Sequence, residues 1–281
     1  VRDVGGVVDA TRIITLSFPE APMHCCEVNG EIYYSNGFDN GIVGANGAVR
    51  AWDWAEPVPP ALSASTGSLP AGLYRVRLTY VLPDGRETGA SDEAYIQLPA
   101  NSMLVVSGIV HQAGYRTRVY VCSADADVFM LAADGVAGAA ISWAGPIDGL
   151  GVELLTAGKY PLPMGAEALA FWRGRVYVTT YMEHDDQSVI WCSSPFAFHL
   201  FDLEQDFFMV KGKVTMLADA GDALLVGSSR QVLAYTVDGL SELAPYGVVQ
   251  GQCWAKDQDT GQVVFWSKRG FCQAMPFQNL T

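Results

Sequence analysis

A chain of 281 residues has capacity for one large or two ordinary domains, and with half of it apolar and 17% charged it reads as globular rather than disordered. Thirty Asp and Glu against seventeen Lys and Arg give a formal charge of −13 and a pI near 4.6, which argues against DNA or RNA as partners, since their binding rests on phosphate neutralisation. No apolar run has the length of a membrane span, so no membrane insertion is expected.

The chain opens on VRDVGGVVDATRIITL, which lacks the order of a signal peptide. It also lacks an initiator Met and reads as processed or cut from a longer protein. Helical periodicity is almost absent. Short alternating apolar runs stand between Gly, Asp, Asn and Pro, the pattern of an all-β fold. Four runs look alike: NGEIYYSNG from Asn29, RGRVYVTTY from Arg173, GDALLVGSS from Gly221 and TGQVVFWSK from Thr260. Each is preceded by another apolar run (HCCEV, ALAFW, VTMLAD, QCWAKD), so each unit predicts a hairpin with a tight turn. The turns at Asp222 and Gly261 lie 48 and 39 residues beyond their predecessors, close to the roughly 40–50 residues of a propeller blade. Gly174 lies 144 residues beyond Gly30, which predicts an insert.

That insert opens at Glu56–Pro60 and closes around Gly145–Pro146. In LYRVRLTYVL, the residues Tyr74, Val76, Leu78, Tyr80 and Leu82 fall on one face of a strand. Six or seven short strands here predict a small β-sandwich of immunoglobulin or fibronectin type. The expected architecture is therefore a β-propeller-like domain of about four units, whole or incomplete, over 1–56 and 147–281. The inserted sandwich occupies 57–146.

Six cysteines, Cys25, Cys26, Cys122, Cys192, Cys253 and Cys272, form no C-x-x-C, which excludes a zinc ribbon or thioredoxin motif. Their apolar surroundings predict buried, reduced thiols in a cytoplasm. Glu183, His184, Asp185 and Asp186 could be a metal site or an acid/base pair, but they fall where a hairpin loop belongs. Four adjacent loop residues do not converge on one ion, so the reading is a solvated tip whose function, if any, is contact; alanine at all four is expected to leave folding intact. DQDTGQVVFW resembles the Asp-box hairpin of sialidase-like propellers, with Asp259 and Gly261 in register, and departs from it at Asp257 and Val264. Its acidic residue would tie down a turn. Asp125 and Asp127 make a similarly weak pair, and Asn279-Leu280-Thr281 reads as a chance sequon. His24, His111, His184 and His199 lie in dissimilar contexts, and there is no G-x-S-x-G, P-loop or dinucleotide fingerprint. No catalytic, cofactor-binding or metal-ligating set is expected, although a two-carboxylate propeller glycosidase stays as an alternative. PFAFHLFDLEQDFF offers Phe196, Phe198 and Phe201 either as strand core or as interface aromatics.

Two blocks, GRVYVTTY…VIWCSSPFAFHLFDLEQDFF…VTMLADAGDALLVGSSRQVLAYT (174–236) and AGLYRVRLTYVLPDGRETGAS…VSGI…RTRVYVCSADADVFMLA (71–132), carry a resemblance. Together they resemble virion structural proteins of tailed bacteriophages, in which a propeller-like scaffold carries an inserted fibronectin-like sandwich. The resemblance implies a non-enzymatic tail-tip, nozzle or head-to-tail component without cofactor, assembled in the host cytoplasm into the virion tail. Its implied partners are other virion proteins and copies of itself in a ring. A rival reading is a tail protein gripping a host-surface glycan or pilus, for which Trp52, Trp54 or Trp172 would stand exposed in a groove.

Overall fold

A computed structural model describes residues 14–124, 126–257 and 259–281 in full, and the backbone of Arg2–Val4 and Val7–Asp9. The chain forms two compact units, Val1–Asp53 with Leu162–Thr281, and Trp54–Pro161. Among the described residues, strands β1 (Arg2–Val4) and β2 (Val7–Asp9) pair with each other as a two-stranded sheet.

The first unit is an all-β, propeller-like array of four antiparallel blades. Blade 1 comprises β3 (His24–Val28), β4 (Glu31–Ser35), β5 (Asn40–Val43) and β6 (Val49–Arg50) in that order. The insert follows as β7 (Ala61–Leu69), β8 (Gly72–Val81), β9 (Ala94–Leu98), β10 (Ser102–Ser107), β11 (Arg116–Cys122), β12 (Met130–Val136) and β13 (Ala140–Trp143). Blade 2 contains β14 (Leu169–Trp172), β15 (Arg175–Met182), β16 (Gln187–Ser194), β17 (Ala197–Phe201) and β18 (Phe207–Lys211), with both β17 and β18 on β16. Blade 3 is β19 (Val214–Asp219), β20 (Leu224–Ser228), β21 (Val232–Thr236) and β22 (Gly239–Ala244). Blade 4 is β23 (Trp254–Lys256), β24 (Val263–Ser267), β25 (Gly270–Gln273) and β26 (Gln278–Asn279).

The turn chemistry explains the first hairpin of each blade. Asn29 and Gly30 (φ 53° and 77°) and Arg173 and Gly174 (φ 47° and 74°) are both left-handed. That is the requirement of a type I′ turn, whose twist matches the strands. In blade 3 only Gly221 is left-handed (φ 79°), and Ala220 N–H donates to the Ala223 carbonyl at 3.0 Å, a type II′ pattern. The blade 4 turn is longer. There the Asp257 carboxylate accepts from Asp259 N–H (2.9 Å) and the Thr260 hydroxyl (2.6 Å), bonds that hold it below the usual carboxylate range. The residue that ties this turn is thus Asp257 and not Asp259, because a carboxylate at the start of a loop can reach the donors two and three residues on.

Apolar side chains fill three junctions among the described residues. Val28, Tyr33, Ile42 and Trp52 of blade 1 meet Val176, Val178, Phe198 and Phe201 of blade 2. Trp172, Ile190 and Val210 of blade 2 meet Leu217, Leu224 and Val226 of blade 3. Met216, Leu225 and Val232 of blade 3 meet Val263, Phe265 and Cys272 of blade 4. Blade 3 is flanked on both sides, so β20 is buried at every position, as a strand covered on both faces must be. Strand β24 is flanked on one side and alternates, with Val263 and Phe265 buried and Trp266 exposed.

The second unit is a sandwich of a three-stranded sheet, β13-β10-β7, and a four-stranded sheet, β12-β11-β8-β9. Tyr74, Val76, Leu78, Leu104, Val106, Val119 and Val121 fill its centre. It closes later than the Gly145–Pro146 breaker predicts. Leu131 N–H donates to the Val152 carbonyl (2.9 Å), Gly151 N–H to the Leu131 carbonyl (2.8 Å) and Leu154 N–H to the Phe129 carbonyl (2.9 Å). These backbone bonds, with the bridge of Met130 to Glu153, stitch 151–154 onto the start of β12. Further along, Gly89 lies so close to the Lys159 carbonyl that a Cβ there would stand 1.7 Å from its oxygen.

Candidate functional site

Strands β3, β14, β19 and β23 are the first strands of the four blades and lie side by side in that order. Between them runs a channel. It has a mouth of about 420 Å³ beside the starts of these strands, a waist of about 40 Å³ at Leu169, Leu217 and Trp254, and a second opening of about 580 Å³ past Glu27, Asp219 and Lys256.

The mouth carries the richer chemistry. Glu167 precedes β14, and its N–H donates to the Thr179 carbonyl (2.8 Å). Lys213 precedes β19, and its N–H donates to the Ser229 hydroxyl (3.1 Å). Held at adjacent strand starts, the Lys213 ammonium reaches both Glu167 oxygens at 2.8–2.9 Å and lies 5.8 Å from the centre of the Tyr181 ring. Gly37 (φ 88°) lets the blade 1 loop close onto the Glu167 side chain. His24 begins β3 beside this pair. Burial lowers its pKa; Glu167 pulls it up and Lys213 pushes it down, leaving it below its ordinary value and the ring neutral at pH 7. The Thr215 hydroxyl is buried in the same wall and has no hydrogen-bond partner among the described residues.

The rim is an aromatic ledge. Asn36 Oδ1 accepts from the N–H groups of Phe38 (3.0 Å) and Asp39 (2.6 Å), an Asx turn that swings Phe38 outward. Asp39 in turn accepts from Ser17 N–H (2.9 Å) and Phe18 N–H (3.0 Å), so its carboxylate is held below its ordinary pKa. Asn36 Nδ2 donates to the Phe18 carbonyl at 3.0 Å. The two rings stack at 4.3 Å, and Phe38, which lines the mouth, is 65% exposed. The second opening is spanned by an ion pair, Lys256 with Asp219 at 2.8 Å.

The residues singled out by sequence lie elsewhere. Glu183, His184 and Asp185 form an exposed 3-10 turn at the tip of the β15–β16 hairpin, and Asp186 closes it in the left-handed conformation (φ 48°). Asp186 is not a bystander. It accepts from Arg230 Nε (2.8 Å) in blade 3 and from the Tyr181 hydroxyl (2.9 Å), and Arg230 followed by Tyr181 holds its carboxyl below the usual range. The Phe196, Phe198 and Phe201 trio divides. Phe196 is 81% exposed because it lies outside β17 in a left-handed turn (φ 56°), whereas Phe198 and Phe201 belong to β17 and are buried in the junction of blades 1 and 2, the β17 pairing shift letting residues three apart reach the same core. They are core and not interface.

Trp52, Trp54 and Trp172 are all buried, so none lines an exposed groove. Trp52 Nε1 donates to the Phe198 carbonyl (2.8 Å) and Trp172 Nε1 to the Gly221 carbonyl (2.9 Å). All six cysteines are free, but only four are buried. Cys25 is exposed and Cys26 partly so, since β3 lines the channel; burial pushes the Cys26 thiol up. Asp125 lies outside the described residues, and Asp127 lies 3.9 Å from Arg75. His111 Nδ1 is paired with the Thr117 hydroxyl at 2.9 Å, His199 is buried in β17, and Asn279 Nδ2 donates to the Arg269 carbonyl at 3.1 Å. Among the described residues no three His, Cys, Asp or Glu side chains group as metal ligands.

The fold defines an all-β, propeller-like protein with a sandwich inserted between its first and second blades. No protein-family model matches the chain, and no curated protein does. Among solved structures it is similar to the crystal structure of Citrobacter koseri AztD, at 13% identity over 92% of this chain and 70% of that one, with a TM-score of 0.26. A likeness that weak carries no function to this chain.

Proposed function

We propose that this chain is a non-enzymatic structural component of a tailed-bacteriophage tail, working by protein–protein assembly after synthesis in the host cytoplasm. The observation that supports the reading is the architecture itself: four blades interrupted after the first by a sandwich. The block VIWCSSPFAFHLFDLEQDFF, on which the resemblance rests, builds the outer strands of blade 2 and lifts Phe196 into solvent. A large aromatic held exposed in a left-handed turn is a ready contact for a neighbouring subunit. The partners on this reading are other tail proteins and further copies of the chain.

The test is the purified virion. Peptides of the chain should be found in particles at a fixed copy number, and electron microscopy should locate propeller and sandwich density in the tail. Absence from particles would sink the reading.

A further inference from the structure

We propose that the channel mouth is a binding site for a neutral carbohydrate, with the exposed Phe18–Phe38 ledge as its stacking surface and Thr215 as a hydrogen-bonding wall. Three observations converge there. The first is size: about 420 Å³ falls in the range of pockets that enclose small ligands. The second is charge. Among the described residues the lining holds a single carboxylate and a single ammonium, Glu167 and Lys213, and these neutralise each other. An anion entering the mouth of a chain of net charge −13 meets no unspent cation in this lining, and a cation would have to displace Lys213. The third is the mixture of surfaces. A purely apolar ligand would strip water from the ion pair and leave the already buried Thr215 hydroxyl without a partner, which costs free energy. A sugar ring presents an apolar C–H face to Phe38 and hydroxyl groups to the polar wall.

The ion pair suits this role further. Both Glu167 oxygens take the same ammonium, and each keeps a lone pair able to accept a sugar hydroxyl.

The site stands on its own geometry and not on the virion reading. A tail protein with no sugar affinity, or a sugar binder absent from particles, would separate the two. Saturation-transfer NMR with glucose, galactose, N-acetylglucosamine, rhamnose and their short oligomers, set against glucose 6-phosphate, tests it directly on the full chain. At least one neutral sugar is expected to bind, with Phe38→Ala and Thr215→Val each weakening it about tenfold or more. Phe38 is exposed and Thr215→Val keeps its shape, so both variants should retain wild-type near-ultraviolet dichroism. Failure of every neutral sugar to bind the folded protein overturns the proposal. So does binding that both variants leave unchanged, or a preference for the phosphorylated sugar.

Discussion

Phe196 occupies a conformation that bulky side chains rarely adopt (φ 56°), with its ring over Gly174. A left-handed L-residue costs on the order of 1–2 kcal/mol, and glycine at that position escapes the cost while losing more chain entropy on folding. Phe196→Gly should therefore leave stability unchanged or raise it by up to about 1 kcal/mol in denaturant titrations, while weakening incorporation into particles. A purely structural Phe196 would show the opposite balance. His24 supplies a pH signature. Its folded pKa lies below its ordinary value, chiefly through burial, against the pull of Glu167 and with the push of Lys213. The unfolded chain then binds the proton more readily, so stability contributed by neutral His24 is present above about pH 6.5 and falls as pH drops toward the folded pKa. Thermal scans between about pH 7.5 and 5 should show a slope that His24→Gln reduces.

At the scale of elements, hairpin turns and strand alternation were the legible part. Asn-Gly, Arg-Gly and Gly-Asp each mark a real first hairpin, since backbone handedness at a tight turn is decided by the two residues in it. What alternation could not convey is blade neighbourhood, because β20 is buried on both faces and reads like any short apolar run. The quartet at 183–186 shows the same limit. Its place at a hairpin tip follows from the flanking strands, but the clamp of Asp186 on Arg230, 44 positions away, leaves no local mark. Alanine at Glu183, His184 and Asp185 together should not move the melting temperature. Asp186→Ala should lower it, by a margin that shrinks in high salt because the pair is exposed. Equal behaviour of the two variants would refute the clamp.

For the whole molecule, the insert's existence was legible from the long gap between like hairpins, but its end was not. The segment 151–156 is bound through backbone N–H and carbonyl groups, which every sequence carries and which therefore leave no pattern. Expressed alone, 54–161 should unfold in one cooperative transition, whereas 57–146 should expose the edge of β12 and melt lower or aggregate; equal stability of the two would place the boundary at Pro146 after all. The channel mouth was missed for a related reason. His24, Glu167, Lys213 and Thr215 are spread over three blades, and only superposing the repeats reveals that each stands at or close to the start of the first strand of its blade.

The insertion also sets a clock. Trp52 donates to a carbonyl 146 positions downstream, and synthesis at about 5–20 residues per second makes that partner roughly 7–30 seconds late. Blade 1 leaves the ribosome with Tyr33, Ile42 and Trp52 uncovered, and the sandwich is translated and able to fold in the interval. During that interval the nascent chain depends on whatever shields its first blade, so the yield of folded protein should be more sensitive to chaperone supply than its final stability would suggest.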